Sequence, residues 1–151
     1  MTELLQASYP ALMKAAYDPG ILGPALTVMT RANPALVSSG TYYVAETENG
    51  TLVGCGGWTR ERPGDDVVSE GIGHIRHFAT HPERTRSGIG SSIYRLCEAD
   101  AREAGVRRFE CYSSVNAEGF YSSLGFERIA VIDLQLIPGV SLTGYRMCRE
   151  L

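Results

Sequence analysis

The chain has 151 residues, 44% apolar and 21% charged, with 14 Lys and Arg against 17 Asp and Glu, for a net charge of −3. This is the composition of one globular domain spanning residues 1–151, long enough to bury a core. The slight acidity gives no support to a nucleic-acid partner, and no apolar run reaches the length of a membrane span.

No charged-then-apolar leader opens the chain, so a cytoplasmic location is expected, with Cys55, Cys97, Cys111 and Cys148 as reduced thiols. None of them forms a C-x-x-C pair. His74, His77 and His81 lack zinc-site spacing with them, so no metal is expected.

In chain order, Leu5, Tyr9, Leu12, Met13 and Ala16 recur at helical spacing and predict an amphipathic helix over 4–17, stopped by Asp18-Pro19-Gly20. A second helix is expected between Pro24 and Ala32. Thr41 to Glu46 is rich in β-branched and aromatic residues and predicts a strand, and Asn49-Gly50 turns it into a hairpin with Leu52 to Thr59. Arg60 to Asp66 is a surface turn, and its acids are expected to be a solvated edge rather than a lure for a cationic substrate. Ser69 to Thr80 reads as a long strand. Ile89, Ile93, Leu96, Cys97, Ala101 and Ala104 mark one helix face, with Gly105 as its C-cap. Strands are expected over 106–113, 126–136 and 140–148, with a short helix from Asn116 to Leu124 between the first two.

Two segments carry the chemistry. Residues 80–94 read T-H-P-E-R-T-R-S-G-I-G-S-S-I-Y: a strand end, a basic glycine loop and a helix start in direct succession. Free N–H groups at a helix start attract anions, glycines admit a phosphate to the backbone, and Arg84 and Arg86 add charge. Residues 116–126 read N-A-E-G-F-Y-S-S-L-G-F. Together the two segments resemble the GNAT superfamily of acetyl-CoA-dependent N-acetyltransferases, whose loop pattern is Gln/Arg-x-x-Gly-x-Gly/Ala and in which Asn…Phe-Tyr-x-x-x-Gly-Phe recurs. The resemblance covers about Thr41 to Met147. It departs from the pattern at Thr85, which stands where the family has Gln or Arg.

The resemblance implies a mixed α/β (α+β) fold, with a central, mostly antiparallel, twisted sheet flanked by helices. It also implies transfer of an acetyl group from acetyl-CoA, a cosubstrate, to a primary amine, foremost on a small molecule. The pantetheine arm would run beside Phe78, Ala79 and Thr80, and the pyrophosphate would lie on Arg86, Ser87, Gly88, Ile89, Gly90 and Ser91. Asn116 corresponds to a cofactor-contacting Asn, or serves as a plain helix N-cap. Tyr121 corresponds to the general acid, or is a structural Tyr packed over the cofactor. Family members often dimerise through terminal strands, so a homodimer is among the states the resemblance allows.

A lysine-like amine titrates near pH 10, so about one in a thousand is neutral at pH 7 and a base is useful. Alternation along the long strand puts His74, Arg76 and Phe78 on one face and Ile75, His77 and Ala79 on the other. His74 aligns with a family base position and Glu70 could act through water, whereas a β-bulge would favour His77. Trp58, Tyr42 and Tyr43 are core candidates before they are acceptor-pocket candidates. Cys111 lacks an evident activating base. Two other readings of the chain are a non-catalytic acetyl-CoA sensor and an enzyme for another acyl-CoA.

Overall fold

The computed structural model describes all residues, 1–151, and is mixed α/β. The elements are α1 (Thr2–Met13), α2 (Pro19–Met29), α3 (Pro34–Val37), β1 (Tyr42–Glu46), β2 (Leu52–Thr59), β3 (Ile72–Thr80), α4 (Ile89–Glu103), β4 (Arg108–Ser114), α5 (Glu118–Ser123), β5 (Glu127–Ile137) and β6 (Val140–Glu150). One six-stranded sheet runs in the order β1-β2-β3-β4-β6-β5, antiparallel except where β3 meets β4. No helix is long and apolar enough to cross a membrane.

Helix α4 covers one face of the sheet. Its stripe of Ile93, Cys97 and Ala101 is buried with Trp58, Ile75, Phe109, Tyr121 and Met147 in the main core. Glycines in β2 let it come close: a Cβ on Gly54 would stand 2.3 Å from Ile89 Cγ2. On the other face, Leu4 and Leu5 of α1 pack with Cys55 and Ala79, while Met13 packs with Leu22, Ala25 and Leu142. Trp58 and Tyr43 belong to the main core, and the Trp58 indole donates to Asp100 at 2.9 Å.

The structure corrects several boundaries. Helix α1 ends at Met13, and Asp18-Pro19 opens α2 rather than simply closing α1. Asp18 accepts from Gly20 N at 2.8 Å as N-cap, and Pro19 takes the first turn, where its missing N–H costs nothing. Asn33 caps the short helix α3, which the sequence reading missed, by accepting from Ala35 N and Leu36 N. Strand β3 begins at Ile72 rather than Ser69. Before it, Gly71 turns with φ +72°, and its carbonyl accepts from Arg107 and Arg108.

The alternation expected along β3 also fails in its second half. The pairs Gly57↔Arg76 and Cys55↔Ala79 enclose two residues of β3 against one of β2, so β3 bulges at His77–Phe78, and His77 sits at φ +47°. The bulge moves Phe78 to the α4 side with Ile75, while Ala79 joins the α1 side.

Candidate active site

Strands β3 and β4 pair only at Ile72↔Arg108, Gly73↔Phe109 and His74↔Glu110. Beyond His74 both continue, to Thr80 and Ser114, without pairing to each other. They therefore splay into a wedge that opens into a cleft of about 1470 Å³. The cleft is walled by both lips of the wedge, the start of α4, α5, and α1 on the opposite side.

The bulge at the wedge's lip is held from two directions. Tyr42 donates its hydroxyl to His77 O at 2.9 Å, and Tyr9 donates to Phe78 O at 3.3 Å. These carbonyls sit where the ladder is interrupted, and tyrosine hydroxyls supply the partners. Neither contact was legible beforehand, because the partners lie 35 and 69 residues apart in sequence.

At one end of the cleft the chain forms an anion cradle. A single 3₁₀ turn, Pro82–Arg84, follows β3, and His81 Nδ1 accepts from Glu83 N. Arg86 and Gly88 then take positive φ, +58° and +83°, immediately before α4. Gly88 is the N-cap and offers no side-chain cap, so the amides of Ile89, Gly90 and Ser91 stay free. A Cβ at Gly88 would meet nothing within 4 Å, so the site is open, whereas one at Gly90 would press on the Phe120 ring at 3.0 Å. Open amides, the positive end of a 15-residue helix and the nearby Arg84 and Arg86 are what a pyrophosphate requires.

Tyr121 lies further along the same cleft, in α5. Its ring stacks edge-on with Phe78, Phe120 and Phe126, at centroid distances of 6.4, 5.1 and 5.5 Å. Burial pushes the phenol well above its usual value, so it remains protonated throughout the physiological range. Asn116 lines the cleft from the 3₁₀ turn Val115–Ala117 and caps no helix, since α5 has Ala117 at its N-cap.

His74 is the last β3 residue paired to β4, at the apex of the wedge; it is 4% exposed, opposite the equally buried Glu110, and is not itself among the residues that line the cleft. Burial lowers its pKa first, the Glu110 carboxylate works against that, and Arg62, Arg76 and Arg146 lower it further. Glu110 accepts three bonds from Arg146, at 3.0, 3.1 and 3.3 Å, and lies 3.5 Å from Arg108 Nε. His77 lines the cleft at the bulge, and burial and then Arg76 lower its pKa. Glu70 is not brought to the site. It precedes β3, its side chain is 94% exposed, and its nearest cation is Arg107 at 3.9 Å.

The sequence profile of the acetyltransferase (GNAT) family matches residues 3–126. The chain belongs to the GNAT acetyltransferase family. Membership implies acyl transfer from an acyl-CoA donor. Solved GNAT proteins share the fold. A GCN5-related N-acetyltransferase from Rhodopseudomonas palustris superposes with TM-score 0.79 at 20% identity, covering 99% of this chain and 87% of that one. The PaiA N-acetyltransferase from Thermoplasma acidophilum, solved in complex with coenzyme A, gives 0.70 at 14% identity, covering 99% and 90%. A GNAT-family acetyltransferase from Staphylococcus aureus Mu50 gives 0.67 at 16% identity, covering 99% and 90%.

Proposed function

We propose that this GNAT protein is an N-acetyltransferase moving the acetyl group of acetyl-CoA directly to a primary amine of a small molecule. The observation that carries this reading is one continuous cleft holding both an open-amide cradle, at Arg86–Ser91, and a protonated buried phenol, Tyr121. Bound there, acetyl-CoA supplies an activated acyl group and a thiolate leaving group. The free amides and Arg86 hold its diphosphate. The unpaired lip of β3 at Phe78, Ala79 and Thr80 lies alongside the pantetheine, with Asn116 opposite.

The amine nitrogen attacks the thioester carbonyl, the new C–N bond forms, the C–S bond breaks, and the electron pair leaves on sulfur. Tyr121 donates its proton to that sulfur. Burial raises that phenol, so it keeps its proton until the thiolate leaves. The ammonium proton leaves through water to His74 at the wedge apex. Its depressed pKa keeps the imidazole neutral and receptive, and Glu110 opposite stabilises the imidazolium that forms. Glu70 has no part in this scheme.

Calorimetric titration with acetyl-CoA and with CoA tests the reading. Micromolar binding, weakened at least about tenfold in Gly88→Glu by charge and bulk in the cradle, is the expected result. Absence of binding at millimolar ligand would overturn it.

A further inference from the structure

Beyond the donor site, the cleft continues across the face of the sheet that carries α1. Six arginines line the cleft, and two of them, Arg84 and Arg86, belong to the donor cradle. The other four are Arg31, Arg62, Arg76 and Arg146, and Asp133 is the one carboxylate among the lining residues. Two of the four are already engaged, Arg146 with Glu110 at 3.0 Å and Arg62 with Asp65. The acids of the 60–66 loop thus do not turn the cleft towards cations. Asp65 is occupied by Arg62, and Glu61 and Asp66 stand outside the lining.

Arg76 differs from its neighbours. It is half-buried, no carboxylate lies within ion-pair distance, and its one side-chain bond is to the neutral hydroxyl of Thr59, at 3.0 Å. A guanidinium has five donors in a fork suited to an oxyanion; burial weakens the charge of Arg76, and Asp66 and Glu61 offset only part of that from beyond ion-pair distance. Its location is informative too. Arg76 is two residues after His74, on the same face, and immediately before the bulge that turns Phe78 to the donor side. Residues two apart on a strand are about 7 Å apart, the reach of a small amine with an acidic group one or two carbons away. Ser8 of α1 lines the same cleft, with a buried hydroxyl that has no partner.

We propose that the acceptor is a small amine that also carries an oxyanion, an amino carboxylate or amino phosphate, and that Arg76 binds that oxyanion while the amine faces the thioester. Arg76 is in this sense the specificity-determining residue of the acceptor site, and the proposal rests on the N-acetyltransferase reading above.

The test is thiol release from acetyl-CoA across matched acceptors: the common amino acids against their decarboxylated amines, O-phosphoethanolamine against ethanolamine, and spermidine as a purely cationic amine. The best acceptors should bear the oxyanion, and the carboxylate and phosphate pairs tell which kind. Arg76→Gln should reduce the preference within the best pair by about 10- to 100-fold, through KM more than kcat, with Arg76→Lys between the two. Acetyl-CoA titration of each variant serves as the folding control. A best acceptor without an oxyanion, or a preference unchanged in Arg76→Gln, overturns the proposal. Turnover of no acceptor by protein that binds acetyl-CoA also overturns it, whereas failure to bind acetyl-CoA brings down the donor reading instead.

Discussion

At the scale of single residues, the proposed reaction needs two ionisable groups in particular forms, and burial favours those forms in Tyr121 and His74. Tyr121 loses its proton far above neutrality, so Tyr121→Phe removes a donor without altering charge or much packing. Acetyl-CoA affinity should persist while kcat falls about 100-fold or more. Equal kcat in stopped assays of parent and variant would leave Tyr121 as packing only. His74 gives a pH signature. Its pKa is depressed, so the acid limb of kcat/KM lies below the ordinary histidine value. His74→Ala should lose roughly 100-fold at pH 7 and, with no resident base, climb steadily as pH rises. The same limb surviving in His74→Ala but vanishing in His77→Ala would transfer the role to the bulge. The family resemblance pointed to Tyr121 and, by alignment to the glycine loop, to His74 as candidates. It could not reach Glu110, because register across a parallel ladder is a tertiary fact, nor the open guanidinium of Arg76, which is defined by what fails to surround it. Cys111 is buried, and burial raises its thiol, which is the environment of a packed rather than an activated cysteine.

At the scale of elements, two joints decide where the chemistry sits: the seating of α4 on β2 and the bulge in β3. Gly54 makes the first possible. Gly54→Ala would drive a methyl into the β-branch of Ile89, the first residue of α4, which cannot rotate clear. The expected cost is about 1–3 kcal/mol, read by thermal denaturation, with acetyl-CoA affinity falling as the cradle shifts. Stability and affinity both equal to the parent would mean that the helix start is not set by this contact. Helix α4 was readable because its apolar stripe, its glycine start and Gly105 at φ +82° all agree. Asp18-Pro19-Gly20 was misread because the residues that break one helix are also those that cap the next. The bulge left no local mark. It takes an ordinary His to positive φ, and the hydroxyls that hold it come from Tyr9 and Tyr42, on other elements.

At the scale of the whole molecule, burial of histidines couples folding to pH. His74 and His77 both have folded pKa values below the unfolded value of 6.5. The unfolded chain therefore binds more protons as pH falls through that value. The stability associated with keeping both rings neutral is present above it and lost below it. The melting temperature should drop between pH 7 and pH 5.5, and the double variant His74→Gln/His77→Gln should flatten that slope. A parent melting temperature independent of pH over this range would contradict the burial described for both rings. A mostly antiparallel central sheet and the family of the fold were accessible from two short segments because the resemblance brought them with it. The identity of the acceptor was not, since the part of the cleft proposed to receive it is assembled from α1, the 60–66 loop, β3, β5 and β6.

A sheet ordinarily has two margins. This one has four, because the splay after His74 gives β3 and β4 each an unpaired flank in the middle of the protein. Those inner flanks are sheltered from other proteins by α1 and α5, so they do not carry the aggregation hazard of an outer edge. Their amides should nevertheless behave as rim amides. In hydrogen–deuterium exchange, those amides of 76–80 and 112–114 that face the wedge rather than β2 or β6 would exchange early, and would slow when an extended chain such as pantetheine enters between them.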